Sequence, residues 1–249
     1  MIDLHCHILP YVDDGASTKD IALKMLRIAS EQNIQEIYLT PHLRMGMFET
    51  PDDEIVTRFE KLCQLASENG LSVRLHLSRE YHVDKNFYRV LSEGNLIPIG
   101  ENTLLMEYSG EHSFEDILKS ASLVLESGYR PLIAHSERCR AFQGDTKKVR
   151  ELVESGCLIQ INADSVLGNN GFFAKRFCTK LIRQDLVFAV ASDAHGETYR
   201  PLRMQKCYEM LKKKFGQDMA DRLTFRNPAE IIKMKETEAC VQPGGFEVY

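Results

Sequence analysis

The chain has 249 residues, a formal net charge of −5, and 43% hydrophobic and 27% charged residues, a balance ordinary for a soluble globular protein. That charge, a pI near 5.9 and the lack of any block of five like charges argue against a nucleic-acid-binding surface. No apolar stretch reaches the ~18 residues of a membrane span, the first apolar run already carries a histidine and leaves no room for a signal peptide, and seven cysteines without framework spacing suit reduced thiols in a cytoplasm.

The first apolar run, residues 2–5, ends in His5-Cys6-His7, and the loop beyond it carries Asp13-Asp14-Gly15. An amphipathic stretch follows, with Ile21, Met25 and Ile28 at the i, i+4, i+7 spacing of a helix packed on a sheet. Ser17 or Thr18 is its candidate N-cap, with Asp20 in the first turn. The run 34–40 leads into Thr40-Pro41-His42, and the run 71–77 is followed by Glu80. The run 103–106 ends at Glu107, and the run 132–134 ends at His135 with Arg138 three residues on. The runs 157–161 and 186–191 complete the set, the last leading to Asp193, His195 and Arg200. Helical patterns cover residues 54–67, 114–126, 147–154 and 172–182 between these runs, then 204–215, 219–223 and 227–235. Gly70, Gly128 and Gly156 each separate a helical pattern from a strand, where a glycine accommodates left-handed geometry.

Regular β–α alternation predicts a parallel sheet. Polar, ligand-type residues follow at least six of the runs, and a closed sheet is the simplest way to bring so many carboxyl-terminal strand ends together. The expected fold class is therefore α/β, a distorted seven-stranded (β/α) TIM-like barrel with its site at the C-terminal ends of the strands.

Five of the eight histidines, namely His5, His7, His42, His135 and His195, end an apolar run. Side chains alternate faces along a strand, so His5 and His7 point the same way, as do Asp193 and His195. Imidazoles and carboxylates with open positions suit Mn2+, Fe2+ or catalytic Zn2+, and a multinuclear site of this kind suits phosphoester hydrolysis. The cysteines do not offer a thiol route to phosphoester hydrolysis. Thiol phosphatases need an Arg six residues after the Cys, and none of Cys6, Cys63, Cys139, Cys157, Cys178, Cys207 or Cys240 has one. No G-x-S-x-G elbow or Walker A loop occurs either. Asp13 is read as a turn residue, His76 and His82 as non-ligands, His112 as exposed, and Asn162 and Ser165 as strand-end and turn residues that could add hydrogen bonds near the site.

The ordered series Met1-Ile-Asp-Leu-His5-Cys-His7 with Asp13-Asp14-Gly15, Tyr38-Leu-Thr-Pro-His42, Leu104-Leu-Met-Glu107, Pro131-Leu-Ile-Ala-His135-Ser-Glu-Arg138, Leu158-Ile-Gln-Ile-Asn162-Ala-Asp-Ser165 and Ala191-Ser-Asp-Ala-His195 with Arg200-Pro201 resembles the PHP (polymerase and histidinol phosphatase) superfamily. Within it, the chain resembles the bacterial protein-tyrosine phosphatases of capsule and exopolysaccharide operons, the CpsB/YwqE type. The likeness runs from residue 1 to about 201. Departures are Cys6 for a usual Ser, Tyr11 for a common Gly, Leu43 where a second His is frequent, Ser136 for a common Pro, and an atypical Arg79 beside Glu80.

The resemblance implies two or three divalent ions, Mn2+ first, with Fe2+, Zn2+, Co2+ or Mg2+ as substitutes. The first position would use His5, His7, a bridging Glu80 and Asp193. The second would use Glu80 or Glu107 with His135, and the third Asp14, His42 and His195; Asp14 is preferred to Asp13 because it directly precedes Gly15. Arg138 and Arg200 would bind the substrate phosphate, with Asp14 and His195 completing the catalytic set. It further implies one metallophosphatase domain over residues 1–235, a loosely ordered tail over 236–249, and an oligomer as an open option. The expected partner is a tyrosine-phosphorylated protein, the tail of a bacterial tyrosine kinase regulating capsular or exopolysaccharide synthesis, with no nucleic acid and no membrane insertion. A small-molecule phosphomonoesterase such as histidinol-phosphate phosphatase is the alternative that the same site would serve. An amidohydrolase would bring eight strands and a bridging Lys, which are not visible, and a non-catalytic metal-dependent module would not need the full ligand set.

Overall fold

A computed structural model describes residues 1–142 and 144–232. The expected end of the last helix beyond Ile232 and the tail over 236–249 lie outside the described residues.

Strand β1 (Ile2–Cys6) is followed by α1 (Lys19–Glu31), β2 (Glu36–Leu39), β3 (His42–Leu43), α2 (Asp52–Glu68), β4 (Arg74–Leu77), β5 (Glu80–His82) and α3 (Lys85–Glu93). Then come β6 (Thr103–Glu107), α4 (Phe114–Glu126), β7 (Arg130–Ile133), a 3-10 turn at Ser136–Arg138, α5 (Thr146–Glu154), β8 (Leu158–Asn162), α6 (Ala163–Leu167), α7 (Phe172–Arg183) and β9 (Ala189–Ala191). The described chain closes with α8 (Met204–Phe215), α9 (Gln217–Asp221), a π turn at Arg222–Arg226 and α10 (Asn227–Ile232). Every ladder between named strands is parallel, in the orders β1-β2-β4 and β3-β5-β6-β7-β8-β9. The sheet curls until its ends meet: the His7 amide donates to the Ala194 carbonyl and the Asp193 amide to that of His5, each at 2.9 Å.

Nine short strands stand among the described residues where seven runs were expected. The extra two arise at bends. Pro41 has no N–H for a ladder, so the expected run 34–40 stops at Leu39 and pairing resumes with His42 on β3. Opposite it, pairing lapses at Ser78-Arg79 and resumes with Glu80 on β5, in register with His42. His42 and Glu80 thus open strands of their own instead of ending the runs before them. Sequence patterning also missed α3 and α6. The first buries only Phe87 and Val90 and is held by the Asp84 side chain accepting the amides of Asn86 and Phe87; the second has five residues. The second is too short to show a helical stripe; the first, nine residues like α5, carries one, with Phe87 and Val90 at the i, i+3 spacing. Thr18 caps α1, its side chain accepting the Ile21 amide at 3.2 Å. Gly70, Gly128 and Gly156 have the positive φ their positions required.

The larger apolar core joins the sheet to the helices through residues such as Leu39, Leu62, Ile117, Ile133, Leu152 and Leu181. A smaller cluster contains Leu105, Leu132 and Leu158. Period-2 alternation puts Glu107 on the same face as Leu105, and Gln160 and Asn162 on the same face as Leu158. One face is therefore apolar toward the N-terminal strand ends and polar toward the C-terminal ends.

Candidate metal centre

The HxH of β1 and the residues after β9 meet because those two segments pair. His5 Nε2 and His7 Nε2 lie 3.1 Å apart, Glu80 Oε2 lies 3.2 and 3.3 Å from them, and Asp193 Oδ1 lies 3.5 and 3.6 Å from them. Four ligands placed tetrahedrally at ~2.1 Å from one ion would be about 3.4 Å apart. The separations fit a cation of that size. Glu80 is fully buried and reaches further, with Oε2 2.9 Å from His42 Nδ1 and Oε1 3.0 Å from His135 Nε2. Glu107 stands 3.8 Å from His42 and 3.7 Å from His135, and Asp14 Oδ1 stands 3.6 Å from His42 Nε2 and 3.4 Å from His195 Nε2. All nine side chains singled out as ligands in the sequence therefore lie in one cluster.

Some polar atoms of this cluster bond one another, such as His135 Nε2 and Glu80 Oε1, but three buried ones do not. Glu80 Oε2 and His42 Nδ1 are 2.9 Å apart, yet neither has hydrogen-bond geometry with any partner among the described residues, and Glu107 Oε2 is also unpaired. Buried groups in that condition cost about 1–3 kcal/mol each. Their lone pairs converge on common points instead of on each other, as the donor set of a divalent ion does.

Outer contacts orient the imidazoles. His7 Nδ1 donates to Asp13 Oδ2 at 2.8 Å, His5 Nδ1 to Gln160 Oε1 at 3.2 Å, and His195 Nδ1 to the Asp193 carbonyl at 3.0 Å. In each ring the Nε2 lone pair is thereby turned inward, the arrangement that supports metal-binding histidines. Gln160 also accepts the His135 amide, its own amide donates to Asn162 Oδ1, and Asn162 Nδ2 donates to Asp193 Oδ2 at 2.6 Å. Asp13, read from sequence as a turn residue, does accept the Gly15 amide, but its other oxygen also takes the His42 amide at 3.1 Å. A Cβ on Gly15 would sit 2.2 Å from the His7 carbonyl oxygen, so only glycine lets the loop press Asp13 and Asp14 onto the cluster. The atypical Arg79 is buried and ties this region together, donating to the carbonyls of His42 at 2.8 Å and Thr50 at 3.0 Å and pairing with Asp52. Gln160 and Arg79 were missed as functional residues because their partners are distant in sequence, and Asp13 because a turn aspartate does not show where its second oxygen faces.

Charge follows the geometry. Burial opposes ionisation of Glu80 and Asp193, but the surrounding imidazoles hold both carboxyls below their usual range, and the neighbouring His195 ring does the same for Asp14. Burial also opposes a charge on His135, yet its contact with Glu80 lifts it to about 9. His195 is pushed down to about 4 by burial and by the neighbouring His7. Arg200 Nη1 donates to His195 Nε2 at 2.9 Å, and its other arm pairs with Asp193. A guanidinium can only donate, so His195 Nε2 is an acceptor there. Arg138, 47% exposed, reaches Asp193 Oδ2 at 3.3 Å. Three residues of this face, His135, Asp193 and Arg200, hold left-handed φ of 31°, 51° and 47°, a strain of about 1–3 kcal/mol each that gathers at functional sites.

The remaining candidates lie elsewhere. His76 bonds Glu36 at 2.9 Å and stacks on Tyr38. His82, buried beside Glu107 in the ladder, has neither ring nitrogen hydrogen-bonded among the described residues. His112, expected to be exposed, is half-buried and bonded to the Val83 carbonyl at 2.8 Å. Ser165 accepts from Asn170. Burial raises the thiols of Cys6, Cys139, Cys157, Cys178 and Cys207, the reverse of what a nucleophilic cysteine needs.

A curled parallel β/α frame whose C-terminal strand ends gather histidines and carboxylates defines a class, the barrel-type metal-centre proteins. The particular family follows from likeness along the whole described chain. Residues 1–233 match the model of the family described as "Capsular polysaccharide synthesis, CpsB/CapC", and the chain belongs to that family. It is 33% identical over 238 residues to the tyrosine-protein phosphatase CpsB of Streptococcus pneumoniae, covering 93% of this chain and 98% of that protein. It is 29% identical over 252 residues to the tyrosine-protein phosphatase YwqE of Bacillus subtilis, covering 95% and 98%. A crystal structure from work on YwqE and CpsB, described there as unique metal-dependent tyrosine phosphatases, superposes with a TM-score of 0.87 at 27% identity over 99% of this chain and 100% of that one. The phosphotriesterase homology protein of Escherichia coli shares the fold, with a TM-score of 0.60 at 11% identity over 93% and 98%.

Proposed function

We propose that the chain is a metal-dependent protein-tyrosine phosphatase, a single catalytic domain over residues 1–235 whose bent strands act as the seven staves of a distorted barrel. The observation that carries this reading is the convergence of His5, His7, Glu80 and Asp193 at separations of 3.1–3.6 Å, with the buried Glu80 Oε2 among them left without a hydrogen bond. Glu80 or Glu107 with His135, and Asp14 with His42 and His195, would hold the second and third ions. Mn2+ is the first choice for this mixed nitrogen and oxygen set. Divalent ions bound there would activate water and offset charge on phosphoryl oxygens. Arg138 and Arg200 hold the phosphate, since a guanidinium fork presents two N–H groups to two oxygens at once. Asp14, half exposed above His195, stands on the side from which substrate arrives. The buried, raised thiols take no part, so no phosphocysteine forms.

The names of the relatives support phosphotyrosine as the substrate, and the family description supports a role in capsule or exopolysaccharide synthesis, with the tail of a bacterial tyrosine kinase as the protein dephosphorylated in the cytoplasm. Among the described residues no helix is long and apolar enough to cross a membrane. Two measurements test the proposal. EDTA should abolish turnover and Mn2+ restore it better than the harder Mg2+; full activity in a metal-free preparation would refute it. A phosphotyrosine peptide should be a far better substrate than histidinol phosphate, and the opposite ranking would move the chain to the small-molecule phosphatases.

A further inference from the structure

Beside the metal centre, between α7 and the loop after β7, lies a cleft of about 440 Å³ lined by Glu137, Gly144, Phe173, Arg176, Phe177 and Lys180. Its inner wall is part of the centre's support. Glu137 accepts the Asn162 amide at 3.3 Å, Asn162 donates to Asp193 Oδ2, and Arg138, the residue after Glu137, reaches the same oxygen. Its outer wall is the start of α7. There Phe172 and Phe173 are 69% and 84% exposed and stand edge to face at 5.8 Å, two large rings left in water.

The local charge runs against that of the chain. The protein as a whole carries −5, yet Arg176 and Lys180 are exposed on the cleft and neither pairs with a carboxylate among the described residues. The neighbouring acids are occupied: Glu137 is buried against the Asn162 amide, and Asp164 takes two 2.7 Å bonds from Arg203. Unpaired cations and exposed aromatic rings next to a phosphate-binding pair complement an anionic polypeptide. From Phe173 to Lys180 the helix rises about 10 Å, the reach of about three extended residues.

We propose that this cleft docks the chain flanking the phosphotyrosine, an extended segment whose acidic side chains meet Arg176 and Lys180 and whose apolar or aromatic side chains pack on Phe172 and Phe173. The inference rests on the phosphatase reading of the adjacent centre and adds where the protein, as opposed to the phosphate, is recognised. Rim charges of this kind act on encounter and orientation more than on chemistry.

The test uses the full-length, metal-loaded enzyme and three substrates: p-nitrophenyl phosphate, a phosphotyrosine peptide with acidic flanks, and the same peptide with those acids changed to amides. Wild type should prefer the acidic peptide. Phe173→Ser and the double variant Arg176→Glu, Lys180→Glu should raise KM for the acidic peptide about 5- to 20-fold. Both should erase the preference between peptides and leave kcat and p-nitrophenyl phosphate turnover unchanged. An unchanged KM would overturn the proposal. So would an equal loss on p-nitrophenyl phosphate, which would place the effect on the chemistry, or dissociation of a wild-type oligomer by either variant, which would make the patch a contact between copies. Should a variant fail to fold, the wild-type comparison decides, and no preference for the acidic peptide overturns the idea. Failure of wild type to hydrolyse either peptide would instead overturn the phosphatase reading, and the docking proposal with it.

Discussion

Asp13 offers a sharp test of how the centre is built, because it touches three groups and is expected to bind no ion. Its Oδ2 takes His7 Nδ1–H at 2.8 Å and the His42 amide at 3.1 Å, and its Oδ1 takes the Gly15 amide at 2.9 Å. Asn is nearly the same size but presents an oxygen on one side only. If that oxygen faces His7, the new NH2 opposes the Gly15 N–H. If it faces Gly15, the NH2 opposes the protonated His7 Nδ1 and the amide of His42, and His7 can accept only by shifting its proton to Nε2, the nitrogen turned toward Glu80 and Asp193. Loss of such an outer-shell carboxylate typically costs 10–100-fold in metal affinity or activity, which is about 1.4–2.8 kcal/mol. We therefore expect Asp13→Asn to weaken Mn2+ activation about 10- to 100-fold and to lower the melting temperature of the metal-free protein. Asp14→Asn should impair activity while sparing that melting temperature, because Asp14 is half exposed. Titration of activity against Mn2+ with calorimetry of the metal-free proteins separates the two. Wild-type metal affinity and stability in Asp13→Asn would refute the reasoning.

Three other outcomes follow from the same geometry. Arg138→Ala and Arg200→Ala should each lower kcat/KM on phosphotyrosine peptides roughly 10- to 1000-fold, about 1.5–4 kcal/mol of lost transition-state contact; metal analysis should show unchanged content, and wild-type kinetics in both would remove the phosphate-binding role. Single Cys→Ser replacements should keep most activity, and a trapped phosphocysteine in quenched reactions would exclude direct attack by water. For metal-free protein, His135 is lifted from 6.5 to about 9 despite burial, through its contact with Glu80. A raised folded value means that this stabilisation is complete below about pH 6.5 and lost as pH rises through about 9. Chemical denaturation across that range should show the decline, and a flat profile in which His135→Gln changes nothing would contradict it.

Much of the site was legible along the chain because strand ends are local. An apolar run sets a strand and its period of two sets a face, which holds for His5 and Glu107; His7, His135, Asp193 and His195 lie just past β1, β7 and β9, where the run marks their place but left-handed turns at His135 and Asp193, not strand alternation, set their direction. The bends were not legible. Pro41 hints at a break, but whether β2 resumes as β3, and whether β4 breaks opposite it at Ser78-Arg79, depends on hydrogen bonds between residues about 40 apart. The role of Asp13 was hidden although His7 is only six residues away. A turn aspartate and a histidine support read identically until Gly15 lets the loop close on His7. Arg79, Gln160 and the cleft beside α7 likewise acquire meaning only from partners brought by the curl of the sheet. Sequence determines what each segment can offer, since side-chain chemistry and backbone periodicity are local properties. Tertiary structure decides which offers meet, since a hydrogen bond or a metal-sized gap is set to a few tenths of an ångström by packing that no single segment contains.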